Sequence, residues 1–557
     1  MLKTTYLALL ALFFSAVTIA HQDAAAPKRI PAAEQAYRDA FSNKDPAKQI
    51  ESLEKLIVDY PDSSSAWAAK QSIIRILIEK FPDRQEEISK RTAEVLAKLP
   101  EEAKRDTLRS LANAMTTAGI LLDKAEEMAK QALALMDERK SVESSKKSYA
   151  DRKEKPPDDA YLVYEFRLTW AQALKNLGRT LVKRSKDSEA ESAFLGAYRY
   201  IPEEVAEDLS DLALKKGNRP AALEYLMVAS SCQGLGRDHR NTLESLYREA
   251  HNATLEGLET MLDERAKAYP SPLDLKPYVR SANRSKRVVL AELFTTTGCG
   301  PCISADVMFE AILTKYTKED VAVLVYHGLE PGPDPMFNQA SESRERYYVA
   351  KQSIGYPSYV VDGKFDSGGG FSRAYAPRIY NHYGPQIEKG LEAAEQARIE
   401  LNAVRNENVV RVHASVSGYD GAGTSKLHIA LVEKNVHFAG TNGVRFHPMV
   451  VRWLAGPSFA GLDLSSSGAS ALDYEFDLSK IAAETGAFLD ELERKGLNGR
   501  PVQFKGNKPV TNSDNMAVVA WVQDVDNKQV LQSRYVECTL VRTIREQEFA
   551  MPVKVGK

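Results

Sequence analysis

The sequence predicts a multidomain chain of three architectures in series: an α-helical array over residues 31–270, an α/β domain over 286–396 and a C-terminal β-sandwich over 397–545. Changes in the hydrophobic period carry that division. Apolar residues recur at three- and four-residue spacing in the first stretch, short apolar runs alternate with helical segments in the second, and the period drops to two in the third. A chain of 557 residues is long enough for two to four domains of roughly 100–200 residues. Hydrophobic residues make up 43% and charged residues 27%, so each stretch can bury a core of its own. With 74 basic and 76 acidic residues the formal net charge is −2, and no global field draws the chain to nucleic acid or an anionic membrane.

The N-terminus reads as a signal peptide over residues 1–20. Met1-Leu2-Lys3 is a short positive start, and Tyr6 to Ile19 is an apolar run of about 14 residues, the length of a signal core and short for a membrane span. Thr18-Ile19-Ala20 offers small residues for cleavage, and Ala24-Ala25-Ala26 a second site. The expected location is outside the cytoplasm, periplasmic or in the cell envelope.

Between Pro31 and Tyr269 glycine is rare and proline falls between segments, as in a series of helices. Leu174, Leu177, Gly178, Leu181, Ala190, Phe194, Ala197 and Pro202 have the spacing of a helix–turn–helix repeat. Gly178 and Ala190 are small where two helices approach, Leu174, Leu181 and Phe194 fill the seam, and Pro202 closes the unit. Leu209, Ala213, Gly217, Ala222, Leu226 and Ala229 repeat the pattern more weakly. This stretch resembles tetratricopeptide repeats, which implies a protein ligand on the array. Residues 141–158, rich in Lys, Ser and Pro, are expected to form a loop or flexible insertion, and the prolines from Pro270 to Pro277 mark the next boundary.

Past that boundary, Arg287–Phe294, Val321–Tyr326 and Ser358–Val361 read as buried strands, and Cys299–Lys315, Ser341–Gln352 and Pro377–Gln396 as helices. Their alternation predicts a mostly parallel sheet, with an Asp362-Gly363 turn ending the third strand. From Ala397 the segments Ile399–Asn402, Val410–His413, Leu427–Leu431, Met516–Val522 and Val530–Tyr535 read as strands, with a helical insertion over Asp477–Lys495.

Chemistry concentrates at Cys299-Gly300-Pro301-Cys302, set between a buried strand and the start of a helix. The helix N-terminus stabilises a thiolate at Cys299, lowering it from the free value of about 8.5. Cys299 is expected to be the exposed nucleophile, and Cys302, one turn further on, to resolve the mixed disulfide. A zinc site would need two more ligands; Cys232 and Cys538 stand alone, and His327 is the nearest candidate, so no metal is expected. His413, His437 and His447 are scattered and read as solvated or edge-strand residues, while Cys232 and Cys538 read as buried small residues.

Residues 286–395 resemble the thioredoxin fold, whose active-site sequence is the CGPC of Cys299–Cys302. Gly355-Tyr356-Pro357-Ser358 matches the family's cis-proline, which implies that Pro357 packs beside the cysteines and that the Tyr356 backbone pairs with a substrate chain. Gly298 replaces the family's tryptophan. Glu292 is the nearest match to its buried aspartate, and could serve there as the proton acceptor of Cys302 or face water at the strand end. Asp334-Pro335-Met336-Phe337, Arg344 and Arg346-Tyr347-Tyr348, then Glu433, Gly440, Gly443 and Arg452 in Leu427–Gly456, are similar to bacterial envelope thioredoxin-like proteins with a following β domain. The resemblance implies an exported thiol–disulfide oxidoreductase needing no cofactor. Its partners would be protein thiols or disulfides, a redox partner protein and a ligand on the repeats, with no nucleic acid. The rival reading is a repeat-based binding or assembly factor that uses the thioredoxin fold as a scaffold.

Overall fold

The structure, a computed structural model, describes residues 31–349, 354–420, 425–497, 499, 501–504 and 511–540. The expected signal peptide at 1–20 lies outside the described residues, as does the end of the expected sandwich beyond 540. The chain divides into two compact units, with the boundary between Ala132 and Leu133. The helical stretch is therefore not one body: its second half belongs to the same unit as the sheets.

The first unit holds α1 (Ala32–Ser42), α2 (Pro46–Asp59), α3 (Ser64–Lys80), α4 (Gln85–Lys98), α5 (Glu101–Ala118) and most of α6 (Leu122–Ala134). Asp45 and Ser63 cap α2 and α3 by accepting the Ala47 and Ala66 N–H groups (2.9 and 3.0 Å). Leu53 and Leu56 of α2 and Ile73, Ile74 and Leu77 of α3 are fully buried where these helices pack.

The second unit begins with α7 (Glu138–Asp151), α8 (Asp159–Lys183), α9 (Asp187–Tyr198), α10 (Pro202–Lys215), α11 (Arg219–Cys232), α12 (Arg237–Ala250) and α13 (Leu258–Ala268). The expected loop at 141–158 is helical as far as Asp151. Lys and Glu form helix well once the Asp137 side chain caps the first turn at Lys140 N (2.8 Å), and only residues 152–158 are irregular. α8 and α9 form the expected helix pair. A Cβ on Gly178 would lie 2.5 Å from Phe194 Cε1, so this close approach admits only glycine. α10 and α11 pair next to them, and Ser210 Oγ donates to Ala222 O (3.1 Å) across the seam.

The strands and remaining helices follow as β1 (Val289–Thr295), α14 (Ile303–Lys315), β2 (Val321–His327), α15 (Gln339–Val349), β3 (Ser358–Val361), β4 (Lys364–Asp366), α16 (Ala376–Glu392), β5 (Arg398–Asn406), β6 (Val409–Ser417), β7 (Ser425–His437), β8 (Phe446–Leu454), β9 (Leu462–Asp463), β10 (Ala469–Asp477), α17 (Leu478–Lys495), β11 (Met516–Asp524), β12 (Val530–Glu537) and β13 (Thr539–Leu540). One large sheet has the order β12-β11-β7-β8-β2-β1-β3-β4, with β9 beside β7; a small one has the order β10-β6-β5-β13.

Two expectations are corrected here. The sheet around β1 is mixed rather than mostly parallel: β1 and β2 are parallel, β3 runs antiparallel to β1, and β4 antiparallel to β3. The tight Asp362-Gly363 turn, both residues at positive φ, forces that hairpin. Nor does a sheet boundary fall at 396. β8 adds to β2 at Val325↔Val450, so the strands of the expected sandwich continue the sheet of the α/β region and cover an apolar edge that would otherwise stay open. The two sheets share one core. Val410, Val412 and Val416 of the small sheet pack on Leu427, Ile429, Val518 and Ala520 of the large one. The opposite faces of β7 and β11, with Ala430, Val432, Val519 and Trp521, belong to the core around β1 and β2.

Candidate functional site

β1 ends at Thr295, and the chain turns so that Cys299 N donates to Thr296 O (3.1 Å) and Cys302 N to Cys299 O (3.2 Å). Gly300–Cys302 is a single 3-10 turn running into α14, and Pro301 sits at its start, where a missing N–H leaves no bond unmade. Cys299 and Cys302 are joined in a disulfide with a Cα–Cα distance of 5.4 Å. The Tyr356–Pro357 bond is cis, and Cys299 Sγ lies 3.7 Å from Tyr356 O. Gly370 closes the group: a Cβ there would meet Pro301 O at 2.1 Å and Pro357 Cγ at 2.7 Å. The two cysteines and Pro357 are thus brought together.

Cys299 does not stand exposed as expected. It is only 5% exposed, and Cys302 is 0%. The tip of the β7–β8 hairpin lies on the motif: Asn442 N donates to Thr297 O (3.0 Å), Asn442 Nδ2 to Cys299 O (3.3 Å) and Thr441 Oγ1 to Thr297 O (3.2 Å). Gly440 and Gly443, singled out in the sequence, belong to this tip, and Glu433 accepts from Arg452 Nε (2.8 Å) across the strands that carry it.

Glu292 is buried, but not next to Cys302. Side chains alternate along a strand, so Glu292 lies on the face of β1 covered by α15, whereas Leu293 and Thr295 face α14. Arg344 Nε and Nη2 hold its two oxygens at 2.7 and 3.0 Å, and Tyr348 Oη donates to it at 2.7 Å. It neither faces water nor serves the cysteines.

The carboxylate on the cysteine side is Asp306, which sequence reading missed. It lies one helical turn after Cys302 on the same helix face. Burial pushes its carboxyl well above the ordinary range, against a single weak bond from Thr295 Oγ1 (3.4 Å). A small cavity lined by Leu293, Asp306, Phe309, Val325, His447 and Pro448 opens beside it. An acid inside the apolar run Ile303–Ile312, four residues past Cys302, was the available signal.

His327, the nearest candidate zinc ligand, instead bonds Asp334 through Nδ1 (2.8 Å). Asp334 also accepts from Thr297 N and Met336 N (2.8 Å each), fixing the approach to Cys299. Burial works against the Asp334 charge, yet His327 and these N–H groups hold the carboxyl below its ordinary value. His447 is not solvated but buried, bonding Phe438 O at 3.0 Å; burial and the neighbouring His327 lower it to about 3. Cys232 is buried as expected, whereas Cys538 is half-buried.

No family model matches the sequence. No curated protein matches it. Among solved structures the chain is similar to HBP35 of Porphyromonas gingivalis, at 18% identity and a TM-score of 0.35, over 48% of this chain and 81% of that one. It is similar to BtubC from P. vanneervenii at 15% identity and a TM-score of 0.24, over 45% of this chain and 98% of that one. A tetratricopeptide repeat protein from Parabacteroides merdae is 12% identical with a TM-score of 0.21, over 42% of this chain and 97% of that one.

Proposed function

We propose that the chain is an exported thiol–disulfide oxidoreductase of thioredoxin type whose helical region engages protein partners. The observation that carries this reading is the Cys299–Cys302 disulfide at a strand-to-helix turn, beside the cis Tyr356–Pro357 bond. In the exchange, a partner thiolate attacks Cys299 Sγ, the Cys299–Cys302 bond breaks and its electron pair leaves on Cys302, which takes a proton. A second partner thiolate then attacks the mixed disulfide and releases Cys299 as a thiolate. The partner is oxidised and the chain reduced by two electrons. Asp306, one helical turn past Cys302 and with its carboxyl raised by burial, is the group to which this reading assigns proton donation to Cys302 and its reversal. The apolar run Tyr6–Ile19 supports export.

Insulin reduction and disulfide isomerisation should be lost in Cys299→Ser; equal activity in wild type and variant overturns the reading. Asp306→Asn should slow exchange roughly 10²-fold and flatten its pH profile, with the disulfide still forming. An unaltered profile removes Asp306 from the mechanism.

A second reading, a repeat-based binding or assembly factor, is favoured by the near-complete burial of Cys299. Partner binding unaffected by Cys299→Ser, together with silent redox assays, would select it.

A further inference from the structure

The disulfide is covered by elements that also fasten to this chain's own helices. The hairpin tip that bonds Thr297 and Cys299 touches, on its other side, the corner between α11 and α12. A Cβ on Gly234 would lie 1.6 Å from Thr441 O, and one on Gly443, at φ +88°, would lie 2.2 Å from Gln233 C. Backbone meets backbone here, which only glycine permits. At the hairpin base Arg445 pairs with Glu259 (2.7 Å) and His437 with Asp263 (2.9 Å), both acids on α13. The Gly370 loop, seated on Pro301 and Pro357, runs straight into a second fastening. Ser372 Oγ donates to Glu204, Ala374 N to Glu203 (3.1 Å), and Tyr164 Oη to Ala374 O (2.6 Å).

These fastenings are polar. Among the described residues, the core around β1 and β2 takes no side chain from α10–α13, and the core of α10–α13 takes none from the strands. A polar seam between separate cores is the kind that parts while both sides stay folded.

We propose that the α10–α13 layer is a gate over the disulfide, and that a protein dithiol reaches Cys299 only when the α11–α12 corner leaves the hairpin tip. This deepens the oxidoreductase reading and rests on it for its purpose, but opening is measurable by chemistry alone. The oxidised full-length protein would be treated with a protein dithiol, reduced thioredoxin, and in parallel with a small phosphine. Reduction is followed as the mass gained on alkylation of Cys299 and Cys302. Gly234→Ala drives a methyl into Thr441 O and should speed reduction by the protein dithiol roughly tenfold or more, with a smaller gain for the phosphine. Glu259→Gln with Asp263→Asn, which loosens the ionic clamp at a distance from the cysteines, should act in the same direction. In the wild type, raising salt from about 0.05 M to about 1 M should do so too. Rates unmoved by salt in the wild type, or equal in wild type and folded variants, overturn the gate. Loss of the oxidoreductase reading would instead show as insulin reduction surviving in Cys299→Ser.

Discussion

Arg344→Leu is expected to destabilise the protein by about 3–5 kcal/mol, the loss typical when one partner of a buried ion pair is removed. Glu292, in the middle of the sheet, and Arg344, on helix α15 against it, are 0% and 2% exposed, and the side chains of the surrounding core are apolar. The guanidinium grips both carboxylate oxygens, donates to Tyr348 Oη (2.7 Å) and Gln523 Oε1 (2.9 Å), and lies 4.9 Å from the centre of the Trp521 ring. Without it, Tyr348 is the donor left to a carboxylate that water cannot reach. Removing both charges should cost much less than removing one, because two leucines leave no unpaired charge behind. Thermal unfolding of Arg344→Leu, Glu292→Leu and the double variant checks this. A double variant no more stable than Arg344→Leu would show that the pair is not the source of the loss.

The second large effect has the opposite sign. Glu203→Gln should stabilise the protein by up to about 3 kcal/mol above pH 7 and leave it unchanged below about pH 4.5. Glu203 is 2% exposed, and burial raises its carboxyl from 4.5 to about 7, with the charge of Glu204 adding and the Ala374 N–H and Arg373 opposing. Tyr164, Tyr269 and Cys232 complete its surroundings. Below pH 4.5 the acid is protonated whether the chain is folded or not, so it costs nothing. Between 4.5 and 7 the folded chain keeps a proton that the unfolded chain has released, and stability falls as pH rises. Above 7 both states are ionised, and the full cost of burying the charge remains. Glutamine keeps an oxygen to accept from Ala374 N and carries no charge to bury. The difference in melting temperature between variant and wild type should therefore grow from pH 4 to pH 8; an equal difference at both would contradict the argument.

The elements that sequence reading found are those whose signals are local. The motif, the strand before it, the helix after it and the Asp362-Gly363 turn lie within short windows where period and turn chemistry suffice, whereas Pro357 was found through the resemblance to the thioredoxin fold. Gly178 facing Phe194 belongs with them, because a helix pair is a short-range object. Asp306 and the helix through Asp151 escaped although their signals were local, and the other parts that escaped depend on contacts far apart in the chain. Nothing periodic links Asn442 to Thr297, or Gly234 to Thr441, since those contacts are made by backbone groups. Glu292 was visible as a charge in an apolar strand, but its partner Arg344 lies two elements further on. Of the sandwich strands, β5, β6, β7, β11 and β12 were found, whereas β8 and β10 were not, and with β8 the continuous sheet was missed too, because a run buried on both faces does not reveal which neighbour lies at its edge.

β7 and β11 each send alternate side chains into two different cores. Melting either strand would strip both cores of a wall at once, so the α/β region and the sandwich should unfold together as one cooperative block. Residues 286–396 cut out at the apparent domain limits would therefore be half of a folding unit rather than a minimal redox module. The cysteine pair is held by a body of strands that runs on to Leu540, more than twice as long in sequence as the motif's own segment.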